Sequence, residues 1–549
     1  MTKESRNDRA GAVRRTVHGA RGMRVLARAG MASPTAPGKA LRGLADVRAW
    51  GPLVGALRHV SRTRPDAVGL IDERGGMTYA ELDRASDELA ISLRDRGFES
   101  EHTIAVLCRD HRWLVLTLLA CGKLGAHVVL VNTGFAAPEL AEVLSHERAA
   151  ALVVDAEFQP LVAEARLRLP CFQAWPAAGV RRGTTLEDLL GEARLAPEPD
   201  PVVPQPRRPG GVVLLTSGTT GRPKGARREV RSALSAAEFL DRIPLRAGEA
   251  TFIASPLFHA IGYSQLTLAF GLGSTVVVRR RFDAEQVARA VHEHGCTALV
   301  LVPTVLQRLL DLDEDFLRAT TSTLRVVVVS GSVLAPELVQ DAAELIGEVL
   351  YNLYGSTEAA VAAVATPREL RRAPGTVGRS PRGCAVRLYD AENRRITRPG
   401  AVGRIFAGGP LMFTGYTTSS GRPQIDGLVD TGDLGHLDDS GLLFVDGRAD
   451  DMIISGGENV FPAEVEHVIA THHAVKDVAV LGIADAEFGQ RLHAYVVPIP
   501  GAELHPQEIV EFVRARMARH KVPREVELVR SVPRNPTGKI LRRALAERR

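Results

Sequence analysis

The sequence predicts an α/β protein: a large N-terminal domain of helix-covered, mostly parallel sheets with a small β subdomain, followed by a C-terminal α+β lid domain. Three observations support this reading. Over most of the chain, short apolar runs ending in polar residues alternate with segments of helical period, the pattern of strands covered on both faces by crossover helices. Between about 382 and 446 the runs shorten and glycines separate them, which marks a small β subdomain. Finally, 549 residues exceed what one hydrophobic core organises, so two or three domains are expected.

Taken in order, the folded part opens near Trp50 with helical signals through His59, and 67–79 reads as strand, turn and strand. A helix is expected over 80–97, a strand over 104–108 and a helix over 113–124. Val128-Val129-Leu130-Val131-Asn132 and Ala151-Leu152-Val153-Val154-Asp155 each read as a strand with a polar end. The proline-rich stretch 196–209 is a linker or surface loop, and 211–215 a buried strand. Further alternation covers 275–278, 284–295, 298–302 and 324–329. Beyond 449, helices are expected over 462–471 and 506–519, and strands over 475–483 and 493–497. No internal repeat of solenoid period is present.

With 45% hydrophobic and 24% charged residues, most of the chain should fold. Charge is uneven. Residues 1–50 hold 11 Lys or Arg against 3 Asp or Glu, a local +8 within a total of +5, so the remainder is slightly acidic. Arg14, Arg15, Arg21, Arg24 and Arg28 intersperse with Val13, Val17, Met23, Val25 and Leu26, as in a segment lying on anionic lipid. Gly19, Gly22 and Gly30 weaken a helix there. The stretch is therefore expected to be a disordered tail or a peripheral membrane contact, and no aromatic interleaving points to nucleic acid. No 18-residue uncharged apolar run and no signal-peptide core are seen, so a cytoplasmic protein is expected. Cys108, Cys121, Cys171, Cys296 and Cys384 lack C-x-x-C or mixed Cys and His spacing, which argues against a zinc or dithiol site. The pair His472-His473 reads as surface.

Five motifs carry chemistry. The first is Leu215-Thr216-Ser217-Gly218-Thr219-Thr220-Gly221-Arg222-Pro223-Lys224-Gly225. Glycines there let backbone N–H groups point at phosphate oxygens, hydroxyls add donors and a lysine closes the turn. It is not the common G-x-x-x-x-G-K loop followed by Ser or Thr, because Lys224 precedes Gly225. The second, Tyr351 to Glu358, follows a strand and a Ser330-Gly331-Ser332 turn. Tyr354 beside a glycine can cover a purine, while Thr357 and Glu358 offer oxygen ligands for phosphate-bound Mg2+. The third is Asp430-Thr431-Gly432-Asp433, whose second carboxylate can accept both hydroxyl protons of a ribose. The fourth joins Gly447-Arg448-Ala449-Asp450-Asp451 to Ile454-Ser455-Gly456-Gly457-Glu458, and the fifth is Pro533-Arg534-Asn535-Pro536-Thr537-Gly538-Lys539.

In this order the motifs resemble the adenylate-forming superfamily of acyl-CoA synthetases, adenylation domains and luciferases, over roughly residues 60–545. The ending Lys224-Gly225-Ala226-Arg227-Arg228, the basic extension and the length are most similar to actinobacterial fatty-acyl-CoA synthetases. The resemblance implies an AMP-binding domain over 51–448, a lid over 449–549 and a hinge at Asp450. It implies ATP, CoA and Mg2+ as cofactors and a small carboxylic acid as substrate. Thr216, Ser217, Gly218, Thr219, Thr220, Gly221 and Lys224 would hold pyrophosphate, Gly331 would border the nucleotide, Tyr354 would cover adenine, and Thr357 and Glu358 would hold metal and phosphate. Asp433 and Arg448 would hold ribose or phosphate, Lys539 would serve adenylation, and Gly456 and Gly457 would line the pantetheine tunnel. Pro256-Leu257-Phe258-His259-Ala260-Ile261-Gly262 resembles the motif beside the acyl pocket, with His259 orienting the carboxylate or gating its entry.

Two features refine the expectation. Many relatives carry a Thr-His pair shortly after the phosphate loop, where this chain has Ala226-Arg227-Arg228. Fatty-acyl-AMP ligases carry an insertion before the hinge, and no surplus residues stand between Asp433 and Arg448. A CoA ligase for a medium- or long-chain fatty acid is thus expected. The alternatives are an aryl or other secondary-metabolite acid, and an adenylating enzyme that loads a carrier protein. For an amino-acid substrate, neither Glu238 nor Asp241 is well placed to meet an ammonium.

Overall fold

A computed structural model describes residues 22–31, 37–176, 183–195, 203–217, 223–228, 236–413, 415–417, 421–449, 451–455, 458–485, 489–517, 521–535 and 538–547. Two sheets dominate the N-terminal domain. In the first, Leu350–Tyr354, Val326–Ser330, Cys296–Leu301, Ala250–Ile253, Thr275–Val277 and Val68–Asp72 lie side by side and run parallel. Ala363–Ala365 and Gly75–Thr78 close its edges antiparallel. The second sheet pairs Val212–Ser217, His127–Leu130, Thr103–Leu107, Ala149–Val154 and Cys171–Gln173 in parallel.

Alternation of side chains explains why these strands read as unbroken apolar runs. Val326 and Val328 enter one hydrophobic cluster while Val327 and Val329 enter another on the opposite face. Val128 and Leu130 split from Val129 and Val131 in the same way. Strands buried on both faces need apolar residues at every position. Between the two sheets lie Pro52–Thr63, Tyr79–Asp95, Arg112–Leu124 and Ala260–Gly271, contributing Leu57, Leu89, Leu118 and Phe270 to the shared core.

Local signals set the helix ends. Thr78 and Glu81 form a reciprocal cap at the start of Tyr79–Asp95, with Glu81 Oε2 accepting the Thr78 N–H at 2.7 Å. Arg112–Leu124, buried nearly all round, even encloses Lys123, whose ammonium reaches Asp83 Oδ1 at 2.7 Å and Asp87 Oδ1 at 3.0 Å. Burial lowers the Lys123 pKa against the pull of both carboxylates.

The β subdomain is an antiparallel sheet of Arg395–Ile396, Ala385–Tyr389, Gly403–Gly408, Leu428–Leu437 and Gln424–Ile425, with Leu443–Arg448 paired to Leu428–Leu437. The C-terminal domain packs Pro462–Ala470 and Pro506–Arg514 on a sheet centred on Val475–Asp485 and Gly489–Pro498.

The start of the chain corrects an expectation. Folded structure begins well before Trp50: Pro37–Trp50 is a helix, and Gly55 approaches it so closely that a Cβ there would lie 2.6 Å from Val47 Cα. Earlier still, Leu26 and Ala29 are buried, and Ala29 O accepts the Ala247 N–H at 2.7 Å. Val25 and Leu26, counted above toward a lipid-facing side, pack instead against the protein's own core. Residues 1–21 lie outside the described residues. Among the described residues, no helix is long and apolar enough to cross a membrane.

Candidate active site

Four adjacent parallel strands bring distant motifs to one edge. Ala250–Ile253, Cys296–Leu301, Val326–Ser330 and Leu350–Tyr354 end together. Their carboxyl ends lead into the Ser255–His259 turn, Val302-Pro303-Thr304, Gly331 and Tyr354-Gly355. Ligands of parallel α/β sheets bind in the crevice outside such ends.

The lysine of the first motif sits on a strand that the sequence reading missed. Pro223–Arg228 pairs antiparallel with Val212–Ser217, setting Lys224 opposite Thr216. Gly218, Thr219, Thr220 and Gly221, and the side chains of Thr216 and Ser217, lie outside the described residues. The Lys224-Gly225 order now has a steric cause. A Cβ on Gly225 would lie 2.5 Å from Glu147 Oε1 and 2.7 Å from Thr417 Oγ1, two groups hydrogen-bonded to each other at 2.6 Å. Thr417 N also donates to Gly225 O at 2.8 Å, and this tethers the Gly415–Tyr416 strand. Lys224 Nζ stands 5.7 Å from the centre of the Tyr416 ring.

Glu358 is buried at 5% exposure beneath this tether. Its Oε1 accepts the Tyr416 hydroxyl at 2.5 Å and lies 3.4 Å from Arg422 Nε, while its main-chain oxygen accepts the Phe413 N–H at 2.8 Å. Thr357 and Glu358 present hard oxygen donors, a set that fits magnesium rather than a softer metal.

Asp433 joins the third and fourth motifs. It lies directly opposite Arg448 in the strand register. Its Oδ1 is 3.2 Å from Arg448 Nη1, and its Oδ2 accepts the Tyr354 hydroxyl at 2.6 Å. Burial raises the Asp433 pKa above the ordinary carboxylate range, against the opposing pull of Arg448, Tyr354 and Lys539. Burial and the Asp433 charge push the Tyr354 phenol well up. Beside Asp433 in sequence, Gly432 has φ +77, and a Cβ there would lie 2.8 Å from Arg422 Nη1 and 2.9 Å from Arg448 Nη2.

Lys539 arrives from the C-terminal domain. Its charge is felt at Asp433, and a Cβ on the neighbouring Gly538 would meet Thr304 Cγ2 at 2.8 Å. The domains also meet at His467 Nε2 and Glu337 Oε1, 3.4 Å apart. Asp450, Gly456 and Gly457 lie outside the described residues; the neighbouring Asp451 pairs with Arg542 at 3.5 Å.

His259 stands at the N-terminal cap position of Ala260–Gly271, and its ring lies tilted by 51° against Phe258 with the ring centres 4.4 Å apart. Burial pushes its pKa down to about 4, and its Nε2 meets no hydrogen-bonding partner among the described residues. Asp110, which no motif flagged, supports this turn: its Oδ1 accepts the Leu257 N–H at 3.0 Å, and burial pushes its pKa up to about 7.

Glu238 and Asp241 are engaged within the protein itself. Glu238 accepts the Cys384 thiol at 3.2 Å, and Asp241 accepts the Arg382 N–H at 3.0 Å. Cys108, His111 and Asp155 come together in the core despite their spacing. His111 Nε2 bonds Asp155 at 2.8 Å and its Nδ1 accepts the Trp113 N–H, so the ring nitrogens are engaged by the protein. Of the histidine pair, His473 is exposed, but His472 is buried against Phe512, which corrects the surface reading.

Comparison with known proteins bears on family and fold. Residues 57–417 match the family model described as AMP-binding enzyme, and 464–539 match the AMP-binding enzyme C-terminal domain. The chain is 32% identical over 509 residues to the fatty acid–acyl-carrier-protein ligase ScoC of Streptomyces coeruleorubidus, covering 88% of this chain and 94% of that one. It is 33% identical over 475 residues to the indoleacetate–CoA ligase of Aromatoleum aromaticum, covering 84% and 91%. The fold superposes with TM-score 0.76 and 27% identity on O-succinylbenzoate coenzyme A synthetase from Bacillus subtilis in complex with ATP and magnesium ion, covering 89% and 99%.

Proposed function

The chain belongs to the AMP-binding enzyme family, and from that premise we propose that it is an ATP-dependent, AMP-forming acid–CoA ligase acting on a medium- or long-chain fatty acid. One observation carries the reading: Tyr354, Asp433 and Arg448 converge within hydrogen-bonding reach, and the Lys539 charge from the other domain acts on the same carboxylate.

In the first half-reaction a carboxylate oxygen of the acid attacks the α-phosphorus of ATP. The bond to the bridging oxygen breaks, leaving acyl-adenylate and pyrophosphate. Asp433 accepts the ribose hydroxyls, Tyr354 covers the adenine, and Lys224 with the segment 216–221 and Gly331 borders the phosphates. Thr357 and Glu358 would hold magnesium, which when bound offsets phosphate charge. Lys539 meets the charge that develops at the α-phosphate, and fixed cations of this kind usually supply the largest catalytic effect. His259, neutral near pH 7, orients the acid or gates its entry and does not act as a base.

In the second half-reaction the CoA sulfur attacks the carbonyl carbon, the bond to AMP breaks and the thiol proton passes to water. A thiol of pKa about 8.5 needs only modest help for this. Rotation about Asp450 would withdraw Lys539 and bring Gly456 and Gly457 to the thiol's path. Support for CoA as acceptor comes from the hairpin before the hinge: Asp433 pairs with Arg448 and Leu437 with Leu443, with no inserted segment between. A second reading, transfer to a carrier-protein thiol, is favoured by the likeness to ScoC.

The test is AMP formation from ATP across fatty, aryl and amino acids, with either CoA or a carrier protein as acceptor and products identified by mass. Acyl-CoA from medium or long fatty acids is expected. Carrier loading without acyl-CoA would replace this reading with the second, and acyl-CoA from aryl acids alone would overturn the fatty-acid assignment.

A further inference from the structure

We propose that Arg422, which belongs to none of the five motifs, is a binding cation for the β- and γ-phosphates of ATP and for the departing pyrophosphate. The inference rests on the ligase reading above and adds a phosphate-contacting residue to it. Arg422 Nε lies 3.3 Å from the Tyr416 hydroxyl and 3.4 Å from Glu358 Oε1, and its Nη1 is 3.5 Å from Asp430 O. Its closest approach to Glu358 is the 3.4 Å contact made through Nε. The side chain stays 25% exposed while Glu358 is nearly sealed.

The position of Arg422 between two other cations gives the direction. On one side it converges with Arg448 over Gly432, and Arg448 holds the ribose carboxylate Asp433. On the other side it shares Tyr416 with Lys224, which lies over the ring while Arg422 meets the hydroxyl. Arg448, Arg422 and Lys224 therefore form a series running from Asp433 past Glu358 to Lys224. A triphosphate laid from Asp433 toward Lys224 passes Arg422 beyond its α-phosphate. Contacts to Tyr416, Glu358 and the Asp430 carbonyl fix the guanidinium before the phosphates arrive, so little reorganisation accompanies their binding. Arginine suits this task because its planar fork matches phosphate oxygens.

The test is calorimetric binding of ATP and of AMP to the full chain and to Arg422→Gln and Arg422→Lys, together with the KM for pyrophosphate in ATP synthesis from acyl-adenylate. Arg422→Gln is expected to weaken ATP and raise the pyrophosphate KM about 10- to 100-fold, the worth of a charge-assisted hydrogen bond, while AMP affinity changes less than about threefold. Arg422→Lys should show the same selectivity at smaller size, and it decides the matter alone if Arg422→Gln does not fold. Equal losses for ATP and AMP, or no loss of either, would overturn the assignment. A wild-type protein that binds neither nucleotide would instead sink the ligase reading itself.

Discussion

Asp433 and Arg448 stand opposite each other in one antiparallel pair, 3.2 Å apart, so the third and fourth motifs form a single charged pair. Burial drives the Asp433 carboxyl up and Arg448 drives it down. If Asp433 holds the ribose as proposed, its ionised form is required, and ATP affinity is expected to fall as pH drops through the Asp433 pKa, which lies above the ordinary value. Removing Arg448 raises that pKa further. Arg448→Ala is expected to move the acid limb of kcat/KM for ATP to higher pH, and Asp433→Asn to abolish that limb and raise the KM for ATP about 10- to 100-fold. pH profiles of the three proteins check this.

Gly432 combines a left-handed backbone with two guanidiniums where a side chain would lie. Gly432→Ala should cost about 1–2 kcal/mol from the backbone alone and displace Arg422 and Arg448 together. Thermal unfolding with and without ATP should show a lower Tm and a smaller ATP-induced rise.

Gly225→Ser would restore the Lys-Ser order of the common phosphate loop, yet here it drives a side chain into Glu147 and Thr417. Overpacking of this kind costs about 1–3 kcal/mol. The variant is expected to unfold at lower denaturant concentration and to lose adenylation, not to gain it.

Asp110 supplies a stability prediction with a definite sign. Its folded pKa of about 7 lies above its unfolded value near 3.8, so folding takes up a proton between those limits. Stability therefore falls as pH rises from about 4 to about 7 and levels off above. Asp110→Asn keeps an acceptor for the Leu257 N–H and should flatten that slope in urea unfolding at several pH values.

Much of the candidate site's geometry was legible because its residues sit in short motifs at strand ends, where turn chemistry is local. Tyr354, Glu358, Asp433, Arg448 and Lys539 fall in this group. Arg422 left no such signal: it stands between Gly421 and Pro423, and only the pairing of Gly415–Tyr416 with Pro223–Arg228 and of Gln424–Ile425 with Leu428–Leu437 brings it to Glu358. Pro223–Arg228 itself was missed because Lys224, Arg227 and Arg228 break any apolar alternation, and its strand character comes from its two neighbours. Asp110 escaped notice because a buried carboxylate supporting a turn 147 residues away has no spacing to read. The helix Pro37–Trp50 was hidden by its basic composition, since its stability comes from contact with Pro52–Thr63.

Lys539 is proposed to serve adenylation and not thioester formation. The most direct measurement compares wild type and Lys539→Ala in acid-dependent ATP–pyrophosphate exchange and, separately, in acyl-CoA formation from supplied acyl-adenylate and CoA. Lys539→Ala is expected to slow exchange by at least about 100-fold, the scale of losing one charge-stabilising group, while thioester formation stays within about threefold of wild type. Equal loss in both half-reactions, or undiminished exchange, would contradict it.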